Sequence, residues 1–97
     1  MWGMSEEEPV RDNPAKNRFE VQVDDTLAFL TYHDTPRGTR VFVHTDVPTA
    51  IAHHGVGSRL VKAALDEAKA AGRHIVAQCP FVAGFIARHP EYESLTQ

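Results

Sequence analysis

The sequence predicts an α/β domain: an antiparallel meander of strands that runs into a strand–helix–strand unit and a second helix, with one mixed sheet. Three observations predict it. Residues 18–45 repeatedly alternate apolar and polar side chains, the period of a half-buried strand. From Val56 onward the apolar period lengthens to that of a helix. Gly72 and Pro80 then bracket a short run, residues 74–79, that reads as one more strand. The 97 residues suffice for one domain with one core.

Taken in order, residues 1–17 hold Glu6-Glu7-Glu8, two prolines and no sustained apolar period, and are expected to form a disordered tail. The ordered domain is expected over residues 18–97. Phe19, Val21 and Val23 alternate with Arg18, Glu20 and Gln22 as a first strand. Asp24-Asp25 reads as a tight turn. Residues 27–33 form a second strand, with Phe29 and Leu30 on opposite faces. Asp34-Thr35-Pro36-Arg37-Gly38 is a loop. Residues 40–45, rich in β-branched side chains, form a third strand.

The helix that follows carries Val56, Leu60, Val61, Ala64, Leu65 and Ala68 on one stripe, with Arg59, Lys62, Asp66, Lys69 and Arg73 largely opposite. Gly72 stops it. Pro80 suits the first turn of a second helix over residues 81–88, and Pro90 limits its extension. Parallel strands on either side of the first helix require a crossover connection, which is right-handed in nearly all proteins.

Composition excludes several classes of function. No apolar run is long enough to span a membrane. The first residues lack the basic-then-apolar order of a secretory signal. The formal net charge is −3 and the basic residues are scattered, which argues against nucleic acid as a partner. The single cysteine, Cys79, forms no internal disulfide and fits a reducing cytoplasm. His53-His54 is an adjacent pair, and the other histidines are dispersed. No His-x-x-x-His or Cys-x-x-Cys pair offers metal-ligand spacing.

The most informative passage is His53-His54-Gly55-Val56-Gly57-Ser58, where a strand feeds a glycine-bearing turn at a helix start. Free N–H groups and the helix dipole make such a turn fit for an anion, phosphate above all. Alone, it reads equally as a helix start without a ligand. Leu60 stands where a dinucleotide fingerprint has its third glycine, and Gly57-Ser58-Arg59 lacks the lysine of a P-loop.

Its context adds more. His44-Thr45-Asp46-Val47-Pro48, then Gly55-Val56-Gly57-Ser58-Arg59-Leu60, then Cys79-Pro80-Phe81-Val82, then Arg88-His89-Pro90-Glu91-Tyr92 follow one another over residues 18–95. In order and spacing the chain resembles the GNAT-type N-acetyltransferases, and more narrowly their small single-domain branch, the YjdJ-like or NATD-like proteins. The resemblance implies a compact GNAT-like fold and acetyl-CoA as cofactor. It implies that the turn cradles the CoA pyrophosphate with backbone N–H groups at Gly55, Val56, Gly57 and Ser58. Ala52 and His53 stand where the family has a Gln or Arg and a frequent glycine. His53 and His54 are either substitute phosphate contacts or exposed loop residues. The resemblance further implies a splay between third and fourth strands that takes the pantetheine arm against the backbone of Thr45 and Val47. An N–H near Val47 then polarises the thioester carbonyl.

Two residues are candidates for the chemistry. Cys79 is expected at the end of the fourth strand and before a helix start, where it acts as a nucleophile or only lines the pocket. His44 suits a general base at neutral pH, or is a structural histidine. On an unbroken strand it shares a face with Phe42 and Asp46. The tyrosine acid frequent in the family has no counterpart in the second helix, whose aromatics Phe81 and Phe85 read as core. The function expected is acetyl-CoA-dependent transfer to an amine, on a protein lysine, a protein N-terminus or a small polyamine. The alternatives are a CoA-binding or sensing domain with little turnover and a cofactor-free interaction module.

Overall fold

A computed structural model describes residues 8–97. Five strands form one sheet in sequential order. They are β1 (Arg11–Asn13), β2 (Arg18–Val23), β3 (Thr26–Asp34), β4 (Arg40–Asp46) and β5 (Ile75–Ala77). β1 to β4 pair antiparallel, and β4 pairs with β5 in parallel. Helix α1 (Val56–Ala70) connects β4 to β5, and α2 (Pro80–Arg88) follows β5. Short 3-10 helices at Pro14–Lys16, Thr49–His54 and Pro90–Thr96 complete the chain. No helix among the described residues is long and apolar enough to cross a membrane.

The expected α/β architecture is present, with one strand more than the sequence suggested. β1 lies within the presumed tail, opposite Arg18, Phe19 and Glu20 of β2. The expectation of disorder over residues 1–17 is corrected for its second half, and residues 1–7 lie outside the described part. Three polar residues, Arg11, Asp12 and Asn13, leave no apolar period to detect. Side chains hold them instead: Asn13 Nδ2 donates to Glu20 Oε2 at 3.1 Å, and the Tyr32 hydroxyl donates to Asp12 Oδ1 at 2.6 Å.

The helical stripe of α1 is buried as its period requires, from Val56 through Leu60, Val61, Ala64 and Leu65 to Ala68. Gly72, at φ +67°, ends it, and Arg73 N–H reaches back to Ala68 O at 2.8 Å. Asp24 takes φ +55° in the expected turn between β2 and β3. The core joins these α1 residues to Phe19, Val21, Leu30, Tyr32 and Phe42 of the sheet, and to Val82, Phe85 and Ile86 of α2. On the opposite face of the sheet, Arg18, Glu20, Leu27, Phe29, Thr31 and His44 are all left partly or fully exposed.

Candidate functional site

β4 and β5 stay together only briefly. The last paired residues are Phe42 and Ala77, and Cys79 N–H donates to Phe42 O at 2.9 Å just beyond them. Pro80 then turns the chain into α2, since proline fits the first helical turn and cannot extend the ladder. β4 runs on to Asp46 with β3 alone beside it. The strands therefore splay, and a groove of about 310 Å³ opens, lined by Thr45, Val47, Ala52, Gly57 and Phe81. Its lining is mainly apolar.

A β-bulge decides which side chains reach this groove. Tyr32 lies opposite Phe42, but Thr31 lies opposite His44, so Val43 is an extra residue on β4. Side chains of paired residues share a face. Thr45, opposite Leu30, thus falls on the core face with Phe42, and His44, opposite Thr31, falls on the other. The unbroken alternation expected from the sequence placed His44 with Phe42, and the bulge reverses that assignment. His44 is exposed, and the Thr31 hydroxyl donates to its carbonyl at 3.3 Å.

Thr45 is brought instead to Cys79, with Oγ1 and Sγ 3.4 Å apart. Cys79 is a free thiol at 3% exposure, in extended conformation at the N-cap of α2. The structure therefore joins Thr45, Val47 and Gly57 at one groove, with Cys79 behind Thr45, and leaves His44 across the sheet.

The glycine turn forms one edge of the same groove. Gly55, at φ +68°, ends the 3-10 helix Thr49–His54 and starts α1, and no side chain caps the start. An uncapped helix start presents its first N–H groups and partial positive charge to an anion. Gly55 and Ser58 are exposed there, while the Val56 side chain is buried in the core and only its backbone is available. The side chains of His53 and His54, expected as phosphate contacts, lie outside the described part of the structure.

Phe81 was read as core, and the structure corrects this. Phe85 is buried at 3% exposure, whereas Phe81 is 40% exposed and walls the groove. The signal was available: Val82, Phe85 and Ile86 form the buried stripe of α2, and Phe81 falls off it. Tyr92 is not among the residues that line the groove. It is buried, and its hydroxyl donates to Asp66 Oδ1 of α1 at 2.6 Å. Among the described residues, no three His, Cys, Asp or Glu side chains gather as a metal site.

Comparison with known proteins agrees with this arrangement. A family model described as GCN5-related N-acetyl-transferase matches residues 18–95. The chain belongs to that family, and is an acyltransferase. Among solved structures, it is similar to the solution structure of a GCN5-like protein from Staphylococcus aureus. The two are 26% identical with a TM-score of 0.72, over 95% of this chain and 89% of the other. No curated protein matches the chain.

Proposed function

We propose that this acyltransferase uses acetyl-CoA and acetylates an exposed amine. The observation that carries the reading is the apolar groove between the splayed ends of β4 and β5, with the uncapped α1 start on its edge. Those two features match two parts of a CoA thioester. An apolar cleft suits a pantetheine arm, and uncapped N–H groups suit a pyrophosphate. Acetyl-CoA, when bound, supplies an acetyl group activated as a thioester. Val47 N–H, just past the last ladder residue Asp46, serves as the donor to the carbonyl oxygen. Cys79, behind Thr45 and in contact with its Oγ1, would take the acetyl group onto its sulfur as CoA leaves as the thiol, and then pass it to the amine. His44 serves as base on the far face, toward an amine that approaches the exposed side of the sheet.

That face supports a choice of acceptor class. No described helix covers it near His44, so the acceptor site is open and shallow. A lysine or N-terminal amine on a protein surface fits it, as does a small polyamine. A second reading, a CoA-binding domain with little turnover, is favoured by two observations. α2 carries no tyrosine to protonate a departing thiolate, and Cys79 is buried.

The test is to mix the protein with acetyl-CoA and follow thiol release with and without candidate amines, alongside thermal melting with CoA. Amine-dependent thiol release is the expected result. Stabilisation by CoA without such release selects the binding domain, and no stabilisation sinks both readings. In Cys79→Ala, loss of an acetylated-protein mass peak together with loss of turnover assigns covalent participation. Retained turnover assigns direct attack by the amine. For His44→Gln, the expected loss of rate is about 100-fold.

A further inference from the structure

Gly55 and Gly57 look like one motif, but their surroundings differ. Gly55 has φ +68° and nothing within 4 Å of the place a β-carbon would occupy, so its backbone conformation alone calls for glycine. Gly57 is a helical residue without positive φ. A β-carbon there would lie 2.8 Å from Phe81 Cζ and 3.0 Å from Cε2, with Val47 Cγ2 at 3.6 Å. Carbon atoms pack at about 3.5–4.0 Å, so the ring and a methyl group cannot share the site. A side chain at position 57 would have to displace the ring of Phe81.

That ring has no role in the core. It falls off the buried stripe of α2, stays 40% exposed, and lies against Gly57 of α1, lining the groove together with Val47. The geometry points to Phe81 as a cofactor-binding residue. One side of its ring seats on Gly57, and the open side packs against the pantetheine arm of a CoA thioester. The inference rests on reading the site as a CoA groove, and it adds a division of labour to the glycine turn. Gly55 shapes the phosphate cradle, and Gly57 lets an aromatic wall stand beside the arm. An aromatic ring suits that wall because it offers a flat apolar surface with few rotamers to lose.

The test is titration calorimetry of wild type, Phe81→Ala, Gly57→Ala and the double variant, with CoA and with adenosine 3′,5′-bisphosphate, which has no pantetheine. Melting temperatures are recorded for each. Phe81→Ala is expected to weaken CoA about tenfold, the size of one aromatic contact, and to leave the bisphosphate unchanged. Gly57→Ala displaces the ring and weakens CoA by a similar factor, and adds nothing when Phe81 is already alanine. If Gly57→Ala unfolds alone, the double variant restores its melting temperature. The inference is overturned if Phe81→Ala binds CoA as wild type does, or if it weakens the bisphosphate equally. It is also overturned if Gly57→Ala costs as much in the Phe81→Ala background as alone, since glycine would then serve the phosphate. A wild-type protein that binds neither ligand refutes the CoA reading itself, whatever the variants do.

Discussion

Arg40 is the charged side chain buried among the described residues, at 6% exposure. It sits at the start of β4, where Nε and Nη2 donate to the two carboxylate oxygens of Asp34 at 2.7 and 2.9 Å. Its guanidinium lies 3.8 Å from the centre of the Tyr32 ring, and Glu67 of α1 accepts from Nη1 at 3.5 Å. A buried guanidinium is tolerated only when its donors are matched, and a planar fork over an aromatic ring matches them well. The bond from Arg40 holds the Asp34 carboxyl below its usual range, against the opposing effect of burial. Burial, then the bond to Asp12, pushes the Tyr32 phenol up to about 12. Because the folded Asp34 pKa is depressed, its contribution to stability is complete above the ordinary carboxylate range and disappears as pH falls through the lowered value. Asp34→Asn is expected to cost about 2 kcal/mol at pH 7, discounted from a fully buried pair because the Asp34 side chain is 39% exposed. Urea unfolding of both proteins from pH 7 to pH 3 checks this. The gap between them should close toward the acid end, and a constant gap would refute it.

At the scale of the element, the bulge at Val43 matters most. It puts Phe42 and Thr45, three residues apart, on one face, which an unbroken strand cannot do. Deleting Val43 makes Phe42, His44 and Thr45 consecutive, so plain alternation keeps Phe42 and Thr45 on the core face and His44 on the other. The expected result is a regular strand that keeps CoA-induced stabilisation, with an unchanged rate of thiol-reagent labelling at Cys79. Loss of that stabilisation in a folded deletion variant would refute the facing argument, because Thr45 would still lie on the core face. This element also shows where sequence reading stops. Phe42-Val43-His44-Thr45 carries no glycine or proline to mark an extra residue, so its facing was unreadable, although strand and splay were expected. β1 was unreadable for a different reason, since its three polar residues are recruited by Glu20, Tyr32 and the open edge of β2. The stripe of α1, by contrast, was legible from period alone, because it buries one face against a single layer. Phe81 was legible too, once its offset from Val82, Phe85 and Ile86 is taken as the signal.

At the scale of the whole molecule, a sheet with helices packed on one face and a splay cut into it needs its far end fastened. The C-terminal 3-10 helix Pro90–Thr96 supplies the fastening. His89 stacks on Phe85 with ring centres 4.1 Å apart, and its Nδ1 lies 2.9 Å from Phe85 O. Tyr92 enters the core at 4% exposure and donates to Asp66 Oδ1, while Lys62 Nζ holds Oδ2 at 2.7 Å. Those bonds, Lys62 first and Tyr92 second, keep the Asp66 carboxyl below its ordinary range, and the bond to Asp66 raises the Tyr92 phenol. The fastening ties the segment after α2 to the middle of α1, so both helices that flank the groove are held relative to each other. Tyr92→Phe keeps the ring and removes one hydrogen bond, for an expected cost of about 1 kcal/mol and a fall in melting temperature of roughly 4–8 °C. Tyr92→Ala also empties part of the core and is expected to cost about 3–5 kcal/mol, most of the stability of a domain this small. The sign with pH follows from Asp66: the hydroxyl's contribution is present at neutral pH and fades as the carboxylate is protonated. Wild type and Tyr92→Phe should therefore converge in melting temperature as pH falls below the carboxylate range. If they stay equally far apart, the ring's packing and not its hydroxyl carries the difference.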